Sequence, residues 1–300
     1  MPRSYKKRGT TPRPPRTATT QPRRAYDTDL TDAQWAILGP LLPPAPGGGR
    51  PRTTAMREVV NAILYVLRTG CAWGLLPHDF PAPGTVYGYF SQWRRDGTIA
   101  RIHEALRPLA RAAAEHDAEP SAACLDSQSV KTTEVGGIKG FDAGKRVKGR
   151  KRHIVVDTLG LLIAVVVTSA NVQDYHGAKP ALLRAKDRSP LLKVVWVDGI
   201  SEKQWLIDWA REDCGWELQV VKRTDQEKGF VVLPKRWVVE RTFGWLGRYH
   251  RLSKDYERFP ETSEAMIRMV MIHIMLRRLE PTCQYPLASQ NEGVTVSQAA

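Results

Sequence analysis

The sequence predicts an α/β protein, a mixed sheet with helices packed against it, preceded by a small all-helical domain. Three observations carry this. Between residues 31 and 116, apolar residues recur at helical spacing. After Pro120 the pattern changes to short β-rich runs that alternate with helical stretches. Two of those runs, ACLD and VVWVD, close on an aspartate, Asp126 and Asp198, as residues at the open end of a sheet would.

The elements follow in order. Residues 1–25 hold Arg, Lys, Pro and Thr with too little apolar surface to fold, so they are expected to be a disordered basic arm. Such an arm either tracks DNA phosphates or merely solubilises the chain. Thr31 or Asp29 caps a helix carrying Trp35, Leu38, Leu41 and Leu42. Gly47 to Arg52 is a linker, and Thr54 to Arg68 is a second helix. A short aromatic helix ends in Arg94 and Arg95, and a fourth spans residues 98–116. Tyr87, Phe90 and Trp93 read as core. The two arginines either face DNA, as the end of a recognition helix would, or are ordinary surface charges.

After the helical domain, 26–118, Ala122 to Ser127 reads as a strand. Lys139 to Arg152 reads as a Gly- and Lys-rich loop. His153 to Asp157 and Leu161 to Thr168 are strands joined by a DTLG turn, which accounts for Asp157. His153, at the end of a basic run, is placed to touch phosphate. Asp174 caps a helix. Val194 to Val197 is a strand buried on both faces. Ser201 to Glu212 is a helix and Glu217 to Lys222 a strand. The helix bearing Glu240 and an apolar helix from Glu264 to Leu279 close the fold, and 283–300 is a disordered tail.

The chain has 300 residues and a formal charge of +14, which favours a polyanionic partner, nucleic acid before an acidic membrane surface. Cys71, Cys124, Cys214 and Cys283 are too scattered to spell a zinc or redox pair. No apolar run approaches a membrane span and none follows the basic start as in a signal peptide, so a cytoplasmic protein is expected. Nucleophile elbow, phosphate-binding glycine loop and dinucleotide fingerprint are all absent from the sequence.

The chemistry-bearing residues are acids. Asp126, Asp198 and Glu240 fall on three separate elements of a basic chain. Three carboxylates suit a pair of hard divalent ions, Mg²⁺ with Mn²⁺ as a substitute, of the kind that stabilise phosphoryl transfer. On the Glu240 helix, Val239, Phe243 and Leu246 form a core face. Trp237, Arg241, Trp245 and Arg248 form a stripe that either stacks bases and pairs phosphates or packs internally.

At these residues the chain resembles the DDE transposases of bacterial insertion sequences, in particular the insertion-sequence-five family. LDSQSVK, GFDAGKRVKGRKRHIVVDTLGLL, TSANVQD and KGFVVLPKRWVVERTFGWLGRYHRLSKDYE carry the likeness, which covers residues 26–280. It implies a ribonuclease-H-like catalytic domain over 119–282, with Asp126, Asp198 and Glu240 as the catalytic acids and Arg236 as the arginine four positions before the last of them. It further implies an enzyme that binds terminal inverted repeats of double-stranded DNA through residues 1–118, works as a homo-oligomer, and cuts and joins strands. On that reading Lys145, Arg150 and Lys151 clamp the DNA backbone. The chain departs from the pattern after Asp198, where Gly199, Ile200, Ser201 and Glu202 stand, and at Leu233 and Gly247. The rival readings are a copy that grips DNA without cutting it, and a nuclease of the same fold that does not transpose.

Overall fold

The fold comes from a computed structural model that describes residues 23–45, 47, 52–198, 203–220 and 237–281. The basic arm up to residue 22, Arg236, most of the 47–52 linker, the turn after Asp198, the far end of the last strand and the C-terminal tail lie outside the described residues.

Four α-helices come first among the described residues. Helix α1 (Asp32–Leu38) starts at Thr31, whose hydroxyl accepts from the Gln34 amide at 3.1 Å while the Gln34 side chain accepts from the Thr31 amide. Helix α2 (Met56–Thr69) buries Val59, Ile63, Val66 and Leu67, the positions its spacing marks as inward. Helix α3 (Pro83–Arg95) buries Phe90 and Trp93 but leaves Tyr87 about half exposed, and α4 (Thr98–Ala112) follows at once.

The sheet comes next: β1 (Ala122–Lys131), β2 (Gly140–Asp142), β3 (Val147–Asp157) and β4 (Leu162–Ser169). Helix α5 (Asp174–Lys186), β5 (Val194–Val197), α6 (Gln204–Cys214), β6 (Glu217–Val220), α7 (Trp237–Gly247) and α8 (Pro260–Leu279) follow among the described residues. The strand order is β2-β3-β1-β5-β6, with β4 also paired to β3. Strands β1, β2 and β4 each pair antiparallel with β3, whereas β5 and β6 run parallel to β1. The short β5 is flanked on both edges and buried, as its unbroken apolar run requires.

Each face of the sheet has its own core. One combines Cys124, Ile154, Val165 and Trp196 with α1 to α4, α7 and α8. The other combines Ala123, Leu125, Val195 and Val197 with α5 and α6. Helix α8 is apolar on nearly every side because it is wrapped, packing against α1 to α4 and β4. Among the described residues no helix is long and apolar enough to cross a membrane.

Three local expectations are corrected. Strand β1 does not stop at Ser127: it continues to Lys131, so Asp126 sits mid-strand, because its second half pairs with β3 from Ser127↔His153 to Lys131↔Gly149. The stretch 139–152 is no loop but the β2–β3 hairpin. Its charges disguise it, since Arg150 and Arg152 are buried against backbone carbonyls of residues 252–258. Nor does Asp174 cap α5. Gln173 holds the cap position without a side-chain bond, and the Asp174 carboxylate turns to Ser127 and Lys151.

Asp157 behaves as a hairpin residue. Its carboxylate accepts from the Leu159 and Leu161 amides at 2.9 and 2.8 Å and closes a buried ion pair with Arg111 of α4 at 2.6 Å. Gly160 completes this turn with φ of 78°, a left-handed backbone that leaves Thr242 and Trp245 of α7 room to press against it.

Candidate active site

Two of the three acids meet by register. Pairing between β1 and β5 ends at Leu125↔Val197, so the next residue on each strand is Asp126 and Asp198. Parallel neighbours in register share a face. Both acids have the parity of Cys124 and Trp196, which places them on the α7 side of the sheet. Both also border an open cleft of about 450 Å³, whose other lining residues, among them Ser127, Lys151, His153, Asp174 and Tyr175, belong to the α5 side and the strand ends. The Ser127 amide donates to the Asp126 carboxylate at 2.6 Å.

The third acid approaches from α7. That helix is docked by Val238, Val239, Phe243 and Leu246, and its direction is fixed at the β3–β4 turn. Thr242 donates to the Gly160 carbonyl at 2.9 Å, and Arg241 to that of Leu159 at 3.1 Å. Glu240 thus lies in the first turn of a helix packed on β1 and β3, exposed, on the face that Asp126 and Asp198 share. It does not itself line the cleft. Among the described residues no three His, Cys, Asp or Glu side chains stand close enough to hold a metal ion.

The opposite parity of β1 carries a polar network absent from the sequence reading. Ser127 donates to Asp174 at 2.7 Å, and Ser129 donates to Asp142 at 2.6 Å. Lys151, directly across from Ser129, reaches Asp174 at 2.9 Å, the Val172 carbonyl at 2.9 Å and Asp142 at 3.4 Å. The Ser129 hydroxyl, the Lys145 amide and Lys151 together hold the Asp142 carboxyl down at about 2. Burial alone would raise Asp174, but the Ser127 hydroxyl and Lys151 outweigh it and keep that group below its ordinary value. The alternation LDSQS was the available signal: in a strand, Ser127 and Ser129 must face away from Asp126.

The basic candidates divide. Arg150 is fully buried, donating to the carbonyls of Ile138, Glu257 and Arg258 and pairing with Asp255 at 3.1 Å. The expectation that it clamps DNA is corrected, since no donor edge reaches solvent. Lys151 is buried as well and spent on the two aspartates, so it shapes the cleft floor instead of gripping a backbone. Lys145 is exposed at the rim, with its ammonium 3.2 Å from the Ser127 carbonyl. Arg241 is sandwiched between Trp237 and Trp245 at 4.3 and 4.7 Å, and Arg278 lies on Trp245 at 4.5 Å, so Arg241 and Trp245 pack internally while Trp237 stays 42% exposed. Arg248 and Arg95 are exposed. Arg94 and Arg95 border a shallow pocket with Glu261, Glu264 and Arg268 of α8.

His153 does not meet solvent phosphate. It is buried, bonded to Thr168 at 3.0 Å, and α5 comes so close that a Cβ on Gly177 would strike its ring. Burial pushes its imidazole down to about 4, and that of His273 down to about 3. The unfolded chain therefore takes up these protons first. Stability is complete above pH ~6.5 and drains as pH falls toward those values, by roughly 3 kcal/mol for His153 alone. Urea titrations at neutral and mildly acidic pH should show this loss, and His273→Gln should flatten the slope. A stability that does not change between pH ~6.5 and ~4.5 would refute it.

Comparison with known proteins bears on the same segments. Residues 117–275 match the transposase DDE domain, and residues 30–103 match the family described as "Putative transposase of IS4/5 family". The "Putative transposase for insertion sequence element IS402" of Burkholderia cepacia is 33% identical over 129 residues, which is 40% of this chain and 60% of that protein's length. The "Insertion element IS402 uncharacterized 16.2 kDa protein" of the same organism is 32% identical over 114 residues, 36% of this chain and 76% of its own length.

Proposed function

The chain belongs to the DDE-domain transposases, and from that footing we propose that it cuts DNA at the ends of an insertion sequence and joins the freed ends to target DNA. The observation that carries this is the β1–β5 register, which sets Asp126 and Asp198 side by side where the strands part. Strands β1 and β5 hold the two aspartates in place, and both residues border the cleft that a substrate would enter. The sheet order, with antiparallel strands followed by two parallel ones, supports a ribonuclease-H-like reading of the domain.

The donor set fits hard divalent ions such as Mg²⁺, because Asp126, Asp198 and Glu240 offer only carboxylate oxygens. Bound there, such ions would neutralise phosphate charge and activate the attacking oxygen. Holding them together requires Glu240, with Arg236 four positions before it in the sequence, to close on the two aspartates when DNA is bound.

The protein's own groups do the positioning. The Ser127 amide orients Asp126. The Asp174–Lys151–Asp142 network braces the other side of the strand, so the carboxylate cannot swing through the sheet. Lys145 stands at the rim to meet a phosphate, and Arg94, Arg95 and Arg248 supply further positive surface. Residues 1–118 are assigned to recognition of the DNA ends, with a homo-oligomer bringing two ends together.

The test is incubation of the full chain with duplexes that carry the element's terminal repeats, with and without Mg²⁺. Nicks leaving a 3′-hydroxyl, and their joining to a second duplex, are expected only with the ion. Nicks without joined products would make it a nuclease, and tight binding with no nick would make it a DNA-gripping copy.

A further inference from the structure

Beside the cleft lies an aromatic surface that the proposed reaction does not use. Tyr175, the residue after Asp174, lines the cleft wall. Its ring lies 4.4 Å from that of His176 and meets the edge of Trp205 at 6.3 Å. Trp205 of α6 is 43% exposed. The positions that α6 buries are Leu206 and Ala210; the Trp205 indole stands off the core, whereas Trp209 is partly buried against it. Two ammonium groups ride on these rings. Lys203 lies 4.8 Å from the Tyr175 ring, and Lys179 lies 4.9 Å from Trp209 and 5.8 Å from Trp205. The neighbouring acid on α6, Asp208, is hydrogen-bonded by Gln204 at 2.8 Å.

An exposed indole with one ammonium on its ring and a second on the neighbouring tyrosine is a poor seat for an apolar protein partner, which would have to strip water from both lysines. It suits a nucleotide well: every base offers a π-face to a ring, and its phosphates pair with the cations. Paired DNA hides its base faces, so only an unpaired base can use the surface. We propose that Tyr175, Trp205, Lys179 and Lys203 form a stacking platform for an unpaired nucleotide of the strand that enters the cleft. This rests on reading the cleft as a site of DNA cleavage. It adds that the duplex is locally opened beside the cut.

The test separates binding from chemistry. Full-length protein in EDTA is titrated with a blunt duplex and with the same duplex bearing a short single-stranded overhang that contains a fluorescent purine analogue. The overhang duplex should bind more tightly, and the analogue should be quenched on binding. Trp205→Ala should weaken overhang binding by about tenfold and leave the blunt duplex within about twofold, whereas Trp205→Phe should keep most of the preference. Equal weakening of both duplexes, or of neither, overturns the platform. So does a Trp205→Ala protein whose only change is loss of self-association by light scattering, since the indole would then be a protein contact. An overhang preference in a protein that never nicks DNA sinks the cleavage reading and leaves the platform standing. Full nicking without that preference does the reverse.

Discussion

Asp126→Asn should lower metal-dependent DNA nicking by about 10³-fold or more while changing DNA binding by no more than about twofold. The substitution keeps shape and still accepts from the Ser127 amide, so strand β1 is undisturbed. What it removes is one negative charge from the place where β1 and β5 separate. Three decades in rate is about 4 kcal/mol of transition-state stabilisation, a reasonable loss when one member of a charged catalytic set is neutralised. Asp198→Asn should match it. The double variant should be little worse than either, because groups that act as one unit are not additive. The measurement is single-turnover nicking of an end-bearing duplex, with affinity taken separately in EDTA. A variant that nicks within about tenfold of the parent would remove Asp126 from the chemistry.

Asp255→Ala should be among the most destabilising single changes, costing roughly 3–5 kcal/mol. Asp255 is 2% exposed and Arg150 fully buried. The carboxylate accepts from Arg150 at 3.1 Å, from Ser263 at 2.7 Å and from the Glu257 amide at 3.0 Å. Its loss strands a guanidinium in the interior with carbonyls but no counter-charge, and unties β3 from the segment that leads into α8. The pair Arg150→Met with Asp255→Leu should recover part of the loss, since no buried charge is then left alone. Asp32→Ala is the control: its ion pair with Arg57 lies on a side chain 97% exposed, where such pairs contribute under about 1 kcal/mol. Urea denaturation of the three variants decides it, and Asp255→Ala within about 1 kcal/mol of the parent would show that water reaches this cluster.

These two predictions sit on opposite sides of what the sequence made legible. The Thr31 capping box, the periodic α2, the doubly buried β5 and the Asp157 turn were all readable, because each depends on residues close in sequence. The β2–β3 hairpin was not. A run of GKRVKGRKR has the composition of a solvated loop, and it becomes a strand only because residues 252–258 supply acceptors for Arg150 and Arg152 from a hundred positions away. The same failure made Arg150 look like a DNA contact. His153 misled for a related reason, since nothing local reveals that Gly177 lets a helix close over it.

By itself the sequence determined the chemistry on offer: three carboxylates in a basic chain, on segments whose apolar patterns assign them to strands and a helix. Only the tertiary structure decided which side of the sheet those carboxylates occupy, that Asp126 and Asp198 are neighbours, and which cations are spent on internal partners. The reason is that strand register and charge compensation are both long-range. A side chain's face follows from its own alternation, but its neighbour across the sheet and its counter-ion are set by whichever distant segment packs there.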